Sequence, residues 1–307
     1  MKGPLFYAKI LLFGEYGIIK DSKGLSIPYN FYRGALKLNP SSEFEDSHEK
    51  LKFFCAHLKT ISTEIVRFDW ERLASDLAQK MYFDSSIPQG YGVGSSGALV
   101  AAIYDQYALD KITVLENLTK DKLVKLKAVF AAMESFFHGK SSGLDPLNSY
   151  LSLPLLIHSK NSIEPTGLPS QNPEGKGAVF LLDSGIVGET APMVSIFMQS
   201  MEQEPFRLMM KDQFIKYTDQ CIEDFLQGNL RSLFTHTKKL SHLVLNNFKP
   251  MIPEKFHALW KNGLETNDYY LKLCGSGGGG YILGFTEDIE KAKLSLKDYQ
   301  LEVVYNF

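Results

Sequence analysis

The sequence predicts an α+β protein in two domains. Three observations carry this. Strand-like and helix-like stretches are mixed in each half of the 307 residues, without a strict strand–helix alternation. A polar connection rich in proline and glycine, Ser159 to Lys176, separates the halves. Each half also carries one glycine-rich loop, Gly90 to Gly97 in the first and Gly275 to Gly280 in the second. The division expected is residues 1–165 and residues 176–307.

Leu5 to Phe13 is apolar on both sides and rich in β-formers, which predicts a buried strand. Its one charge, Lys9, either snorkels to the sheet end or faces a functional cleft. Gly14-Glu15-Tyr16-Gly17 makes a turn. Ile18 to Lys20 and Leu25 to Pro28 pattern as a hairpin around Asp21 to Gly24, and Phe31 to Leu38 alternates as a further strand. Ser47 to Thr60 predicts a helix, and Phe68 to Met81 a clearer one, with Leu73, Leu77 and Met81 on one face. The helix after the first glycine loop ends near Leu109. Thr113 to Phe137 holds two helices or one broken one. His138 to Pro146 has too much glycine and serine for a helix interior and is expected as a turn-rich loop. Leu151 to Ile157 resumes a strand.

In the second half, Ala178 to Leu182 is a buried strand. Helices are expected over Val194 to Met201, Glu204 to Leu226, Asn229 to Phe248 and Pro253 to Leu264, the last with a proline suitably placed near its start. Short strands, Lys272 to Cys274 and Tyr281 to Phe285, flank the second glycine loop. A helix from Ile289 to Lys297 and a strand from Leu301 to Phe307 complete the chain.

The composition excludes several classes. Lys and Arg total 33 against 35 Asp and Glu, so the net charge of −2 gives no general attraction to nucleic acid or to an anionic membrane. No run of 18 or more apolar residues is present to span a membrane. Lys9, Gly14 and Glu15 interrupt the apolar N-terminal residues, so no signal peptide is expected. Cys55, Cys221 and Cys274 are odd in number and lack metal-ligand spacing, which predicts reduced thiols and a cytoplasmic setting.

The stretch richest in chemistry is Pro88-Gln-Gly90-Tyr-Gly92-Val-Gly94-Ser95-Ser96-Gly97-Ala98. Its glycines let the backbone take positive φ and wrap a ligand closely. Ser95 and Ser96 stand where a serine N-cap is favoured. A helix N-terminus behind such a loop is a ready anion site. A plain glycine turn before a capped helix is one reading. A dinucleotide fingerprint is another, since Gly92 to Gly97 fits G-x-G-x-x-G. That motif needs a buried strand before it and an acid at the end of the next strand. Residues 82–88 do not pattern as a core strand, and the segment after the helix patterns as more helix. No G-x-x-x-x-G-K-[ST] occurs anywhere. A different ATP-phosphate loop is the third reading.

Phosphoryl transfer from ATP needs donors around the phosphates, magnesium on oxygen ligands, and a group that positions or deprotonates the attacking hydroxyl. The first glycine loop can supply the donors. Ser96 and Glu134 offer hard oxygens for magnesium. Asp145 beside Lys9 can serve the hydroxyl. Singly, each has an ordinary explanation: Glu134 as a solvated helix residue, Asp145 as a turn residue before Pro146, His138 as a structural donor, and the second glycine loop as a hairpin tip.

Together these residues resemble the GHMP kinase family, named for galactokinase, homoserine kinase, mevalonate kinase and phosphomevalonate kinase. Three ordered motifs carry the resemblance: Ala8-Lys9-Ile-Leu-Leu-Phe-Gly14-Glu15-Tyr16, the Pro88 to Ala98 loop, and Lys272-Leu-Cys-Gly275-Ser-Gly277-Gly278-Gly279-Gly280. Within the family, Glu134, His138-Gly139, Ser142-Gly143 and Asp145 are most similar to the mevalonate kinase pattern E-x-x-x-H-G-x-x-S-G-x-D.

The resemblance implies a ribosomal-protein-S5-like N-terminal domain, a ferredoxin-like C-terminal domain and ATP in the cleft between them. It implies that Gly90, Gly92, Gly94, Ser95, Ser96, Gly97, Gly277 and Gly278 bind ATP and that Ser96 and Glu134 hold Mg2+. It further implies Asp145 as catalytic base with Lys9 as its partner. Glu15, Tyr16, His138, Gly278 and Thr190 are then expected on the side of a mevalonate-like alcohol, and a homodimer is expected. Three departures bear on the substrate. Tyr16 stands where mevalonate kinases usually carry His, Pro146 where Asn is common, and Gly188 where they tend to carry Arg. Gly-Glu-Tyr is more typical of phosphomevalonate kinases, whose substrate would need added cations, with Lys20, Lys140 and Lys160 as candidates. A ligand sensor that kept the fold is a further alternative, against which Lys9, Glu134 and Asp145 together argue. A dinucleotide-binding oxidoreductase is the remaining one.

Overall fold

The computed structural model describes residues 4–38, 42–113, 118–159 and 161–307. Lys160 and residues 114–117 of the helical stretch expected from Thr113 lie outside them. The chain divides into two units. One holds the chain up to Lys9, Ile27–Gln89 and Gly94–Leu153; the other holds Ile10–Ser26, Gly90–Val93 and Pro154–Phe307.

The first element, β1 (Phe6–Phe13), is the strand expected, and Lys9 lies within it, only 4% exposed. A lysine so enclosed does not snorkel. The second, β2 (Gly24–Leu38), is one strand of fifteen residues that passes through Pro28 and Gly34. The hairpin expected around Asp21 is corrected: Gly17–Lys20 is a 3-10 turn, closed by Asp21 at φ 64°, so Ile18 to Lys20 is not a strand.

In the first unit, α1 (Glu45–Leu58) is followed by a two-residue ladder of β3 (Arg67–Phe68) with β5 (Ala108–Leu109). The helix α2 (Trp70–Ala78) starts on Asp69, whose carboxylate accepts the Arg72 N–H. It ends before Met81, which opens β4 (Met81–Ser85) instead of closing the helix. Residues 81–85 pair antiparallel with Gly34–Leu38 of β2, and their burial falls away towards Ser85. A strand does therefore precede the glycine loop. Fading burial hid it from the pattern, and its antiparallel pairing is not that of a dinucleotide fold.

The next helix, α3 (Ser95–Tyr107), buries Ala98, Val100, Ala101, Ala102, Ile103, Tyr104 and Tyr107. The helix α4 (Lys120–His138) is single and is capped by Thr119, whose side chain accepts the Lys122 N–H. The loop expected over His138 to Pro146 is corrected at its end: α5 (Leu144–Leu151) contains Asp145 and Pro146. Pro146 falls in the first turn, where no intrahelical N–H is needed. Eight residues do not hold a helix alone. Burial of Leu147, Tyr150 and Leu151 stabilises it, at about 1.5–3 kcal/mol for each large apolar side chain. The strand expected from Leu151 accordingly starts four residues later, at Leu155.

In the second unit, β6 (Leu155–Ser159) pairs with Gly24–Ser26 of β2 and with β7 (Ser162–Pro165), a strand inside the stretch expected as a plain connection. A second sheet follows from β8 (Ala178–Asp183), β9 (Tyr270–Leu273), β10 (Tyr281–Thr286) and β11 (Leu301–Asn306). Its order is β11-β8-β10-β9, all antiparallel. With helices after β8 and between β10 and β11, that is the β-α-β-β-α-β arrangement of a ferredoxin-like unit.

The helices of this unit are α6 (Thr190–Ser200), α7 (Glu204–Met209), α8 (Ile215–Gln227), α9 (Leu230–Asn247), α10 (His257–Thr266) and α11 (Ile289–Ser295). The first starts at Thr190 instead of Val194. The single helix expected from Glu204 is interrupted by a π turn at Met210–Phe214. Among the described residues, no helix is long and apolar enough to cross a membrane. The three cysteines are buried.

Candidate active site

Four parts of the first unit converge on one point: residues 6–9 of β1, the N-terminus of α3, the C-terminal end of α4 and the first turn of α5. Lys9 Nζ lies 2.8 Å from Asp145 Oδ1. Ser149 Oγ donates to the Tyr7 carbonyl at 2.9 Å and so ties α5 to β1 beside that pair. Asp145 sits in the first turn of its helix, where the free N–H groups favour a negative charge.

The approach of α3 to α5 depends on Gly97. A Cβ there would meet the Asp145 carbonyl carbon and the Pro146 nitrogen at 2.7 Å. At Gly94, in the left-handed region with φ 81°, a Cβ would lie 3.0 Å from Lys9 Cγ and 3.7 Å from Asp145 Oδ2. Gly94, not a serine, is the N-cap of α3, and no side chain caps it. Ser95 and Ser96 are the first two helical residues. That corrects the expected serine cap and frees the Ser96 hydroxyl for another task.

Ser96 Oγ donates to Glu134 Oε1 at 3.0 Å and lies 3.2 Å from His138 Nε2. A hydroxyl has one proton, so with Glu134 as its acceptor the imidazole Nε2–H donates to Ser96. The other carboxylate oxygen, Glu134 Oε2, accepts a hydrogen bond from Ser141 Oγ. Burial, then the negative charge of Asp145, raises the Glu134 pKa to about 7, against the hydrogen bonds of Ser141 and Ser96 and the charge of Lys9. Desolvation of the His138 ring lowers its pKa, and Asp145 pulls the other way.

That shift has a measurable sign. Glu134 holds its proton more tightly in the folded chain than in the unfolded one. Its contribution is therefore fully present below about pH 4.5 and is lost as pH rises towards 7. In EDTA, Glu134→Gln should gain stability on the native chain by about 2–3 kcal/mol between pH 5 and pH 8. Paired urea titrations at the two pH values measure it; an unchanged difference means that Glu134 is not held as a buried acid.

A second group of the expected residues gathers around the second glycine loop, in the other unit. Glu15 Oε1 accepts from Lys272 Nζ at 2.6 Å, with both side chains buried. The Tyr16 hydroxyl donates to the Ser276 carbonyl at 2.6 Å, and its ring packs on Phe197 and Phe248. Burial, then the Glu15 charge, raises the Tyr16 pKa. Ser276 Oγ donates to Thr190 Oγ1 at 3.4 Å. The Gly278 N–H is given to the Met251 carbonyl at 2.6 Å, and a Cβ at Gly277 would meet that same oxygen at 2.6 Å.

The first glycine loop is split between the groups. Gly90 O accepts the Gly188 N–H at 2.9 Å, and a Cβ at Gly92 would meet the Cys274 carbonyl oxygen at 2.5 Å. These two glycines serve close packing of backbone on backbone. Sequence reasoning missed that use, and it missed Ser141, which the motif leaves as an unspecified position.

Magnesium fits this donor set. Ser96 and Glu134 offer hard oxygens 3.0 Å apart, and the buried carboxylate lacks a full countercharge, which is what a divalent cation supplies. Among the described residues, no group of three or more His, Cys, Asp or Glu forms a site for a metal held by protein alone. Magnesium that keeps waters and substrate phosphates needs only one or two carboxylates.

Residues 63–152 match the family model for the GHMP kinases N terminal domain. Comparison with curated protein sequences gives no match. Among solved structures, L. major mevalonate kinase in complex with R-mevalonate is similar with a TM-score of 0.66 at 17% identity, over 100% of this chain and 99% of that one. Methanococcus jannaschii mevalonate kinase is similar at 0.60 and 17% identity, over 99% and 98%. Streptococcus pneumoniae phosphomevalonate kinase, in complex with phosphomevalonate and AMPPNP, is similar at 0.62 and 13% identity, over 98% and 99%. Residues 63–152 match the GHMP kinases N terminal domain, and the chain as a whole has the fold of the GHMP kinases.

Proposed function

We propose that the chain transfers the γ-phosphoryl group of ATP to the primary hydroxyl of mevalonate. The observation that carries this is the Lys9–Asp145 ion pair standing beside the Ser96–Glu134 pair on a GHMP kinase domain. Asp145, ionised and held by Lys9, accepts the proton of the attacking hydroxyl. Lys9 also offers positive charge to the transferring phosphoryl group. The N–H groups of Ser95, Ser96 and Gly97 have no partner within their helix and are offered to phosphate oxygens. Bound magnesium, held by Ser96 and Glu134, would neutralise phosphate charge. The alcohol itself is inferred from the motif pattern and from the R-mevalonate complex among the similar structures.

Phosphomevalonate is the second reading, favoured by Gly14-Glu15-Tyr16 and by Gly188. A Cβ at 188 would lie 3.1 Å from the Gly277 carbonyl oxygen, so a side chain there must displace backbone. An arginine at that position is not available to a substrate carboxylate. Of the candidate cations, Lys20 and Lys140 are exposed.

ADP release with ATP and magnesium tests both readings, in parallel reactions with mevalonate, 5-phosphomevalonate, homoserine and galactose. Turnover on mevalonate alone is expected. Turnover on 5-phosphomevalonate alone moves the substrate and keeps the machinery. Silence on all four, with ATP still bound, favours a sensor.

A further inference from the structure

Both oxygens of the Glu134 carboxylate accept a serine hydroxyl. Oε1 takes Ser96, and Oε2 takes Ser141. The two serines come from different elements. Ser96 opens α3, whereas Ser141 lies in the short loop between α4 and α5. Ser141 is itself fixed, because its Oγ accepts the Gly143 N–H at 3.0 Å. Gly143 is the N-cap of α5, in the left-handed region at φ 72°, and a Cβ there would meet the Lys127 carbonyl oxygen of α4 at 2.2 Å. One hydroxyl thus joins the Glu134 carboxylate to the start of the helix that carries Asp145.

We propose that Ser141 is a positioning residue that sets the orientation of the Glu134 carboxylate for the metal. The inference rests on Glu134 and Ser96 as the magnesium ligands. A metal held by Ser96 Oγ and Glu134 Oε1 would draw on the oxygens that now share the Ser96 hydrogen bond. The bond from Ser141 to Oε2 then remains, and it keeps the plane of the carboxylate from turning. A carboxylate on three rotatable bonds loses affinity when it must be ordered by the metal itself. Because Ser141 is anchored to Gly143, the metal side of the site and the Asp145 side share one backbone reference. Ser142, which occupies the motif's serine position, accepts the Leu144 N–H at 3.4 Å and is engaged in the turn instead.

The test is Mn2+ binding to the full chain in the presence of ADP, followed by electron paramagnetic resonance. Native protein is compared with Ser141→Ala, Ser141→Thr and Glu134→Gln. Ser141→Ala should bind Mn2+ about tenfold more weakly, as loss of an outer partner does. Its ADP affinity without metal should match that of the native chain. Ser141→Thr, which keeps the hydroxyl, should restore Mn2+ affinity. In the kinase assay, the free-magnesium requirement of Ser141→Ala should rise more than the KM for ATP. Circular dichroism and thermal midpoints establish that each variant is folded. Mn2+ affinity unchanged in Ser141→Ala but lost in Glu134→Gln overturns the role of Ser141 and keeps Glu134 as ligand. Equal losses in Ser141→Ala and Ser141→Thr also overturn it, because the hydroxyl is then not the cause. Native affinity in Glu134→Gln overturns the ligand assignment and the positioning role together.

Discussion

Asp145→Asn is expected to lower turnover by about 10²-fold or more while the chain stays folded, the usual contribution of a positioned base being about 10²–10⁴. The amide keeps the size of the carboxylate and its place in the first turn of α5. It cannot accept the hydroxyl proton, and it removes the carboxylate charge 2.8 Å from Lys9. That lysine is 4% exposed and has Asp145 Oδ1 at 2.8 Å. The loss should fall on kcat, with nucleotide affinity largely kept, because the phosphate-loop N–H groups are untouched. Steady-state kinetics with saturating ATP and magnesium, beside a thermal melt, decides it. A folded Asp145→Asn enzyme with near-native kcat would remove Asp145 from the chemistry and leave it as the ionic anchor of Lys9.

The largest effect on stability is expected from Lys272→Met. Lys272 and Glu15 are buried together, 2.6 Å apart, and the lysine also donates to the Leu273 carbonyl at 2.9 Å and lies over the Phe13 ring. Methionine has a similar apolar stem, so the packing is largely preserved. The Glu15 charge, however, loses the buried cation 2.6 Å from it. Breaking a buried pair from one side costs about 3–5 kcal/mol, whereas replacing both partners costs far less. Lys272→Met should therefore melt on the order of 10 °C lower, and adding Glu15→Gln should recover much of that loss. A single-variant cost below about 1 kcal/mol would mean that Glu15 finds its countercharge elsewhere.

Three elements differ from their expected form, each for a physical reason. Ile18 to Lys20 has the composition of a strand, yet Gly14 and Gly17 bend the chain so tightly that a 3-10 turn forms. A Cβ at Gly17 would stand 2.3 Å from Ser22 Oγ. The strand Met81–Ser85 was hidden because only its first two residues are buried, so its alternation is short. Residues 144–146 are expected as the end of a loop because Gly143, Asp145 and Pro146 crowd together there. All three are favoured at a helix N-terminus once Leu147 and Tyr150 have a core to enter. The last is a case of tertiary burial overriding a local signal.

The sequence by itself determined the α+β class, most of the longer helices and the buried strands β1, β8 and β10. It also determined the candidacy of Lys9, Ser96, Glu134 and Asp145. These follow from periodicity, turn chemistry and residue type, which are local properties. Only the tertiary structure decided which of those residues meet. Lys9 and Asp145 are far apart in the chain and pair because α5 is tied to β1 through Ser149. Gly97 matters for the approach of α3 to α5, and Gly92 for backbone packing against Cys274. Tyr16 lies in an aromatic cluster, and Ser141 was invisible to any motif because its partner is a carboxylate on the preceding helix. The physical reason is common to all of them. Hydrogen bonds, ion pairs and close approaches depend on distances in space, and a periodic pattern specifies only which face of an element turns inward.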